Sequence, residues 1–195
     1  PPRSRAAALA LGLLVPACAL AVYFAVGNPS ALAPGAGQDL ARHGVSAEQF
    51  EALVARLAAR LKENPEDAEG WAMLGRSYAV LGRFPESAEA YARAAERTPR
   101  DAQLLTDWAD ALAMAQGRSL EGEPEKLLAR ALAIDPSNVK ALMLAGTAAF
   151  NRKDYRAAVR LWERILSAVP SDSEIADRVR ASVAEARTLG SLPQA

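Results

Sequence analysis

Four prolines set the frame for the last two thirds of this chain. Pro65, Pro99, Pro136 and Pro170 stand 34, 37 and 34 residues apart, and each closes a stretch whose apolar residues recur at helical spacing. A unit that small cannot bury its own apolar face, so about three must stack before a continuous core forms. The composition suits such stacking. Alanine fills 45 of 195 positions and aromatics only 6%, which favours close-packed helices over a β-sandwich.

The residues inside the period are consistent from copy to copy. The first unit, about 68–101, carries Trp71, Leu74, Gly75 and Tyr78, then Ser87, Tyr91, Ala94 and Pro99. The second, about 102–138, carries Leu105, Trp108, Ala109 and Leu112, then Leu128, Ala131 and Pro136, with a long turn expected from Gly117 to Glu125. The third, about 139–172, carries Leu142, Ala145, Gly146 and Ala149, then Tyr155, Ala158, Trp162, Ile165 and Pro170. Glycine or alanine at 75, 109 and 146 lets two helices approach closely, with large residues filling the space on either side. A 34-residue, two-helix period with these positions is the signature of tetratricopeptide (TPR) repeats, so the expected fold is an all-α TPR superhelix.

Capping helices are expected at both ends, over 46–62 and 173–188. Ser46 with Gln49, and Ser171 with Glu174, have capping-box spacing. The last helix has a thin stripe of Ile175, Val179 and Val183, as a terminal cap with one wet face requires. Residues 189–195 read as a frayed tail.

Residues 6–26 contain no charge, and 21 residues of helix span about 31 Å, close to the hydrocarbon core of a bilayer. Residues 6–27 are therefore expected to be a transmembrane helix in the lipid bilayer. Arg3 and Arg5 in the flank 1–5 place the N-terminus in the cytoplasm and the rest outside. Two other readings compete: a cleaved signal peptide ending near Ala17-Cys18-Ala19, and a lipoprotein acylated at Cys18. The apolar run continues past both points, which favours the anchor. Because the chain starts at Pro1, it reads as a fragment or processed form of something longer. Residues 28–45, with Pro29, Pro34, Gly35 and Gly37, read as a flexible tether joining the span to a domain over 46–188.

No catalytic constellation is visible, so an enzyme is not expected. The single histidine, His43, has no nucleophile at recognisable spacing, and Gly35-Ala36-Gly37 lacks the strand and helix of a phosphate loop. One cysteine excludes a disulfide framework, and neither a metal site nor a cofactor is expected. With 23 basic and 23 acidic residues there is no polybasic footprint, hence no nucleic acid partner. Glu86 and Glu89 with Arg93, Asp154 with Arg156, and Glu174 and Asp177 with Arg178 read as helix-face ion pairs.

Binding remains. The inner surface of a TPR superhelix is lined by the first helix of each repeat, a groove suited to one helix or an extended peptide. Counting from the core positions puts Ala72, Arg76 and Ala79 there in the first repeat. The second contributes Gln103, Thr106, Asp110 and Ala113, and the third Lys140, Met143, Thr147, Phe150 and Asn151. This mixture suits an amphipathic helix. A lysine and asparagine clamp for a C-terminal carboxylate is missing, because Ala72 and Arg76 stand at its positions.

The stretches GRSLEGEPEKLL and ALMLAGTAAFNRKDYRAAVRLWERIL, within residues 45–185, resemble the periplasmic TPR domain of the CcmI/CycH family of c-type cytochrome biogenesis factors. The resemblance implies the C-terminal portion of such a protein, in the bacterial inner membrane with its TPR domain in the periplasm. It implies a chaperone that captures apocytochrome c, largely by its C-terminal helix, and hands it to the membrane subunits of the haem-ligation complex. Related TPR subunits serve nitrite-reductase cytochrome maturation. The alternatives from other classes are an assembly scaffold without a client peptide, and a TPR lipoprotein of another envelope complex.

Overall fold

The computed structural model describes residues 46–193. The expected flank, membrane span and tether (1–5, 6–27 and 28–45) lie outside the described residues. Among the described residues no helix is long and apolar enough to cross a membrane. The chain divides into Pro1–Phe50 and Glu51–Ala195. Of the first unit only the start of one helix is described, where Ser46 and Gln49 close the expected capping box: the Ser46 amide donates to Gln49 Oε1 at 2.9 Å, and the Gln49 amide to Ser46 Oγ at 3.2 Å.

Among the described residues there are eight helices and no strand. They are α1 (Ala47–Glu63), α2 (Ala68–Val80), α3 (Phe84–Arg97), α4 (Ala102–Ala115), α5 (Glu123–Ile134), α6 (Val139–Asn151), α7 (Tyr155–Leu166) and α8 (Glu174–Leu189). They pack as antiparallel neighbours: α2 with α3, α4 with α5, and α6 with α7, each pair also packing on the next, with α8 closing against α7. The first helices of successive pairs touch directly, α2 with α4 and α4 with α6. The second unit is thus a TPR-like helical array.

Local chemistry explains where each helix begins. Asp67, Asp101 and Asn138 cap α2, α4 and α6, each accepting a hydrogen bond from the amide three residues on, at 2.8–3.0 Å. Each of them follows a loop proline by two residues, so the proline ends one helix and the cap starts the next. The cap of α8 is Ser173, which accepts from the Ala176 amide at 3.2 Å, not the Ser171 of the expected box. Pro85 and Pro124 open α3 and α5, where a missing N–H costs nothing.

The close contacts fall where small residues allow them. A Cβ built on Gly75 would lie 2.8 Å from the Tyr91 ring, and one on Gly146 would strike the Trp162 indole. Ala109, in the same register, is fully buried. Ser87 adds a polar tie, its hydroxyl donating to the Gly75 carbonyl at 2.8 Å inside the first pair. The core runs through Leu61, Leu105, Leu127, Leu128, Leu142, Ile165 and Val179. The long α4–α5 connection spans 116–122, shorter than the sequence implied because α5 already starts at Glu123. It is ordered from within: Leu120 is buried, and the Gln116 side-chain amide donates through Nε2 to the carbonyls of Ser119 and Glu121 at 2.7 and 3.0 Å.

The turn within the third pair places a non-glycine residue in the left-handed region. Lys153 has φ +63°, the left-handed region, at the site where the first pair has Gly82 at φ +71°. A side chain there costs about 1–2 kcal/mol of backbone strain. Lys153→Gly is expected to leave stability unchanged or raise it by up to ~1 kcal/mol, because glycine's extra unfolded freedom offsets part of the relief. Gly82→Ala is expected to cost about 1 kcal/mol, with nothing within 4 Å of the added methyl to blame. Denaturant midpoints of the two variants check this; a destabilised Lys153→Gly would show that the strain is absent.

Candidate peptide-binding groove

The inner surface is built from α2, α4 and α6, and the structure adds α8. Of the residues expected there, Arg76, Gln103 and Asn151 are exposed, while Ala72, Ala79, Asp110, Met143, Thr147 and Phe150 are half-buried. Thr106 and Ala113 are not available. Thr106 is fully buried with its hydroxyl donating to the Ala102 carbonyl at 2.7 Å, and Ala113 is 4% exposed. The reason is the position of α4. It has a first-type helix on each side and second-type helices behind it, so its buried stripe widens to include Leu104, Thr106, Ala111 and Ala113. Only a narrow strip around Gln103, Asp107, Asp110 and Met114 stays open.

That strip is polar and paired. The Lys140 ammonium, from α6, lies 2.8 Å from both Asp107 and Asp110 of α4. Gln103 donates to Asp107 at 3.1 Å and accepts from Asn138 at 3.3 Å, extending the network across the repeat boundary. Burial pulls the Lys140 pKa down, but the two carboxylates outweigh it and hold the amine above its ordinary value. Tyr91 stands behind this cluster beside Ala79, Phe84 and Met114, around a cavity of about 70 Å³. Burial, reinforced by Asp107, pushes its phenol up to about 12. The phenol therefore stays neutral at any physiological pH.

The larger opening lies between α6 and α8. It measures about 630 Å³ and is lined by Val139, Lys140, Met143, Ile175, Arg178 and Ser182. Its floor is apolar and its rim carries two cations. Phe150, expected in the groove, is instead partly committed to the core: its ring centroid is 5.3 Å from Tyr155 and 5.7 Å from Trp162. Thr147 spends its hydroxyl on the Met143 carbonyl at 2.9 Å.

Counting from the core positions does not reach Asp107, Val139 or the contribution of α8, whose narrow apolar stripe also fits a cap. A signal existed. Ala176 falls 34 residues after Leu142 and is likewise fully buried, so the period runs on into α8 as the first helix of a further unit. The expected ion pairs also redistribute. Glu86 pairs with Arg83 at 2.8 Å, while Arg93 lies over the Trp71 ring at 4.8 Å. Asp154 caps α7 through the Ala157 amide, and Asp177 pairs with Arg180 at 2.7 Å rather than with Arg178. Among the described residues no group of histidine, cysteine or acidic side chains is placed to hold a metal ion; His43 and Cys18 lie outside them.

Similar proteins agree with this architecture. The chain is 34% identical to the cytochrome c-type biogenesis protein CycH of Pseudomonas aeruginosa over 184 residues, covering 94% of this chain and 44% of that protein. It is 29% identical to the cytochrome c-type biogenesis protein CcmH of Escherichia coli K12 over 139 residues, 71% of this chain and 40% of that one. A formate-dependent nitrite reductase complex subunit, NrfG of Escherichia coli O157:H7, is 28% identical over 121 residues, 62% of this chain and 61% of that one. The chain thus spans less than half the length of these CycH and CcmH relatives. Among solved structures, the MamA protein superposes with a TM-score of 0.65 at 18% identity, over 74% of this chain and 75% of that chain, a likeness of fold alone. The profile of the cytochrome c-type biogenesis protein H TPR domain matches residues 37–176, and the chain belongs to that family.

Proposed function

We propose that this chain is a membrane-anchored periplasmic TPR chaperone of c-type cytochrome maturation. Residues 6–27 hold it in the bacterial inner membrane. The inner face of the array binds apocytochrome c by its C-terminal helix and delivers it to membrane subunits of the haem-ligation complex. Family membership supports the role in cytochrome maturation. The observation that carries the binding part is the open, apolar-floored groove between α6 and α8, in which Met143 and Ile175 offer anchors to the apolar stripe of a helix. With a paired charge cluster on one side and an apolar floor, holding a peptide is the chemistry the groove supports.

The test is a titration of the full chain, in detergent, with overlapping peptides spanning an apocytochrome c, each against a scrambled control. A C-terminal helix segment is expected to bind best, and Met143→Glu with Ile175→Glu to weaken it at least about 10-fold, equivalent to 1.4 kcal/mol. Both positions have solvent-facing surface, so helicity should persist in the double variant. If no segment outperforms its scrambled control, the chaperone reading is wrong. Likeness to a nitrite reductase complex subunit justifies peptides from that cytochrome in the same series. Removing residues 1–27 separates chaperone from scaffold: a chaperone keeps its peptide, whereas a span-dependent scaffold loses its partners.

A further inference from the structure

The two cations on the rim of the α6–α8 groove are electrically different. Lys140 is answered from inside the array by Asp107 and Asp110. Arg178 is exposed and forms no ion pair among the described residues. Its acidic chain neighbour Asp177 is engaged with Arg180 at 2.7 Å. Arg178 follows Ile175 by three residues and precedes Ser182 by four, so all three share one face of α8, and all three line the groove. Ile175 keeps 38% of its surface exposed there, opposite Met143. Glu174, one turn earlier on α8, makes no ion-pair contact with Arg178 among the described residues, so an apolar floor with one unpaired guanidinium at its edge complements a specific ligand: an amphipathic helix whose apolar stripe is flanked by a carboxylate. A helix with a basic flank meets repulsion at the same point, and a neutral one leaves the arginine unanswered.

We propose that α8 is a wall of the binding groove rather than only a cap, and that Arg178 selects the client by pairing with an acidic side chain beside its apolar stripe. This rests on the peptide-binding reading above and specifies the chemistry of its ligand. The pair forms at a solvent-exposed rim, so it sets which helix is accepted and in which register more than it sets total affinity.

The experiment uses the full chain as wild type, Arg178→Gln and Arg178→Glu, with circular dichroism confirming unchanged helicity. The probe is the tightest-binding apocytochrome c segment from the series above. It is compared with versions in which each Asp or Glu is replaced by Gln or Lys in turn, and with a version amidated at its C-terminus. One acidic replacement by Gln is expected to weaken wild-type binding about 3–5-fold and to leave Arg178→Gln unaffected. Arg178→Glu should prefer the matching Lys peptide over the original. The pairing is overturned if Arg178→Gln weakens every peptide equally, or if only amidation of the C-terminus couples to Arg178. A wild-type chain that binds no segment at all sinks the peptide-binding reading and the pairing together, whereas binding without charge coupling sinks the pairing alone.

Discussion

Trp162→Ala is expected to lose about 3–5 kcal/mol of stability, the range for deleting a buried aromatic side chain. Trp162 is 5% exposed, its ring lies against Phe150 and Gly146, and its indole N–H donates to the Met143 carbonyl at 3.3 Å. Truncation empties the seam between α6 and α7 and leaves Phe150, among the described residues, with Tyr155 as its ring neighbour. For a chain of this size the loss corresponds to a melting-temperature drop of roughly 6–20 °C. In a repeat array each unit contacts only its neighbours, so the damage should be local. Hydrogen exchange is expected to accelerate through α6, α7 and α8 while α2 and α3 keep most of their protection. A loss below about 1 kcal/mol, or one spread evenly over all helices, would contradict this account of the core. Because Met143 and Phe150 sit on the same helix, the variant should also weaken peptide binding, an indirect effect that the groove variants do not share.

Gly146→Ala carries the second large effect, and its sign runs against helix propensity. Alanine is the better helix former by about 1 kcal/mol. Here the added methyl would collide with the Trp162 indole, and overpacking of a tight seam costs about 1–3 kcal/mol. Net destabilisation is expected, read from denaturant midpoints at constant slope. A double-mutant cycle isolates the cause. In a Trp162→Leu background the collision partner is gone, so Gly146→Ala should become neutral or stabilising. If the alanine is equally harmful with and without the indole, the steric explanation fails. Gly75→Ala meets the Tyr91 ring at 2.8 Å in the first pair, a milder collision than at Gly146, so its cost should have the same sign and be smaller.

These two positions also show how much the chain announces about itself. Glycine or alanine at 75, 109 and 146, with large residues three and four positions away, was enough to read helix pairs and their close approach. Such contacts are local in sequence and repeat with the period. The capping box at Ser46 and Gln49 was legible for the same reason, its partners lying three residues apart. Choices among equivalent short-range partners were not legible. Asp177 could reach Arg178 or Arg180 and takes Arg180, which also reaches the Ser171 carbonyl. Glu86 takes Arg83, while Arg93 lies over Trp71. Exposed ion pairs differ by fractions of a kcal/mol, so small packing differences decide them.

The sequence by itself determined an all-α chain of stacked two-helix units. The period, the small residues at the seams and the prolines that end each helix leave little else that could bury the apolar residues. It also carried the family. Which inner residues remain open was decided only by the tertiary structure. Thr106 and Ala113 occupy inward positions by counting, yet α4, which carries them, lies between neighbours that cover them. Lys140 and Asp110 look like two separate groove charges but pair with each other, and with Asp107, across the α4–α6 boundary. Arg178 looked paired on its own helix and instead edges the groove. Accessibility and charge compensation depend on neighbours on other helices, thirty or more residues away for the Lys140 pairs, and a periodic count along one helix cannot see them.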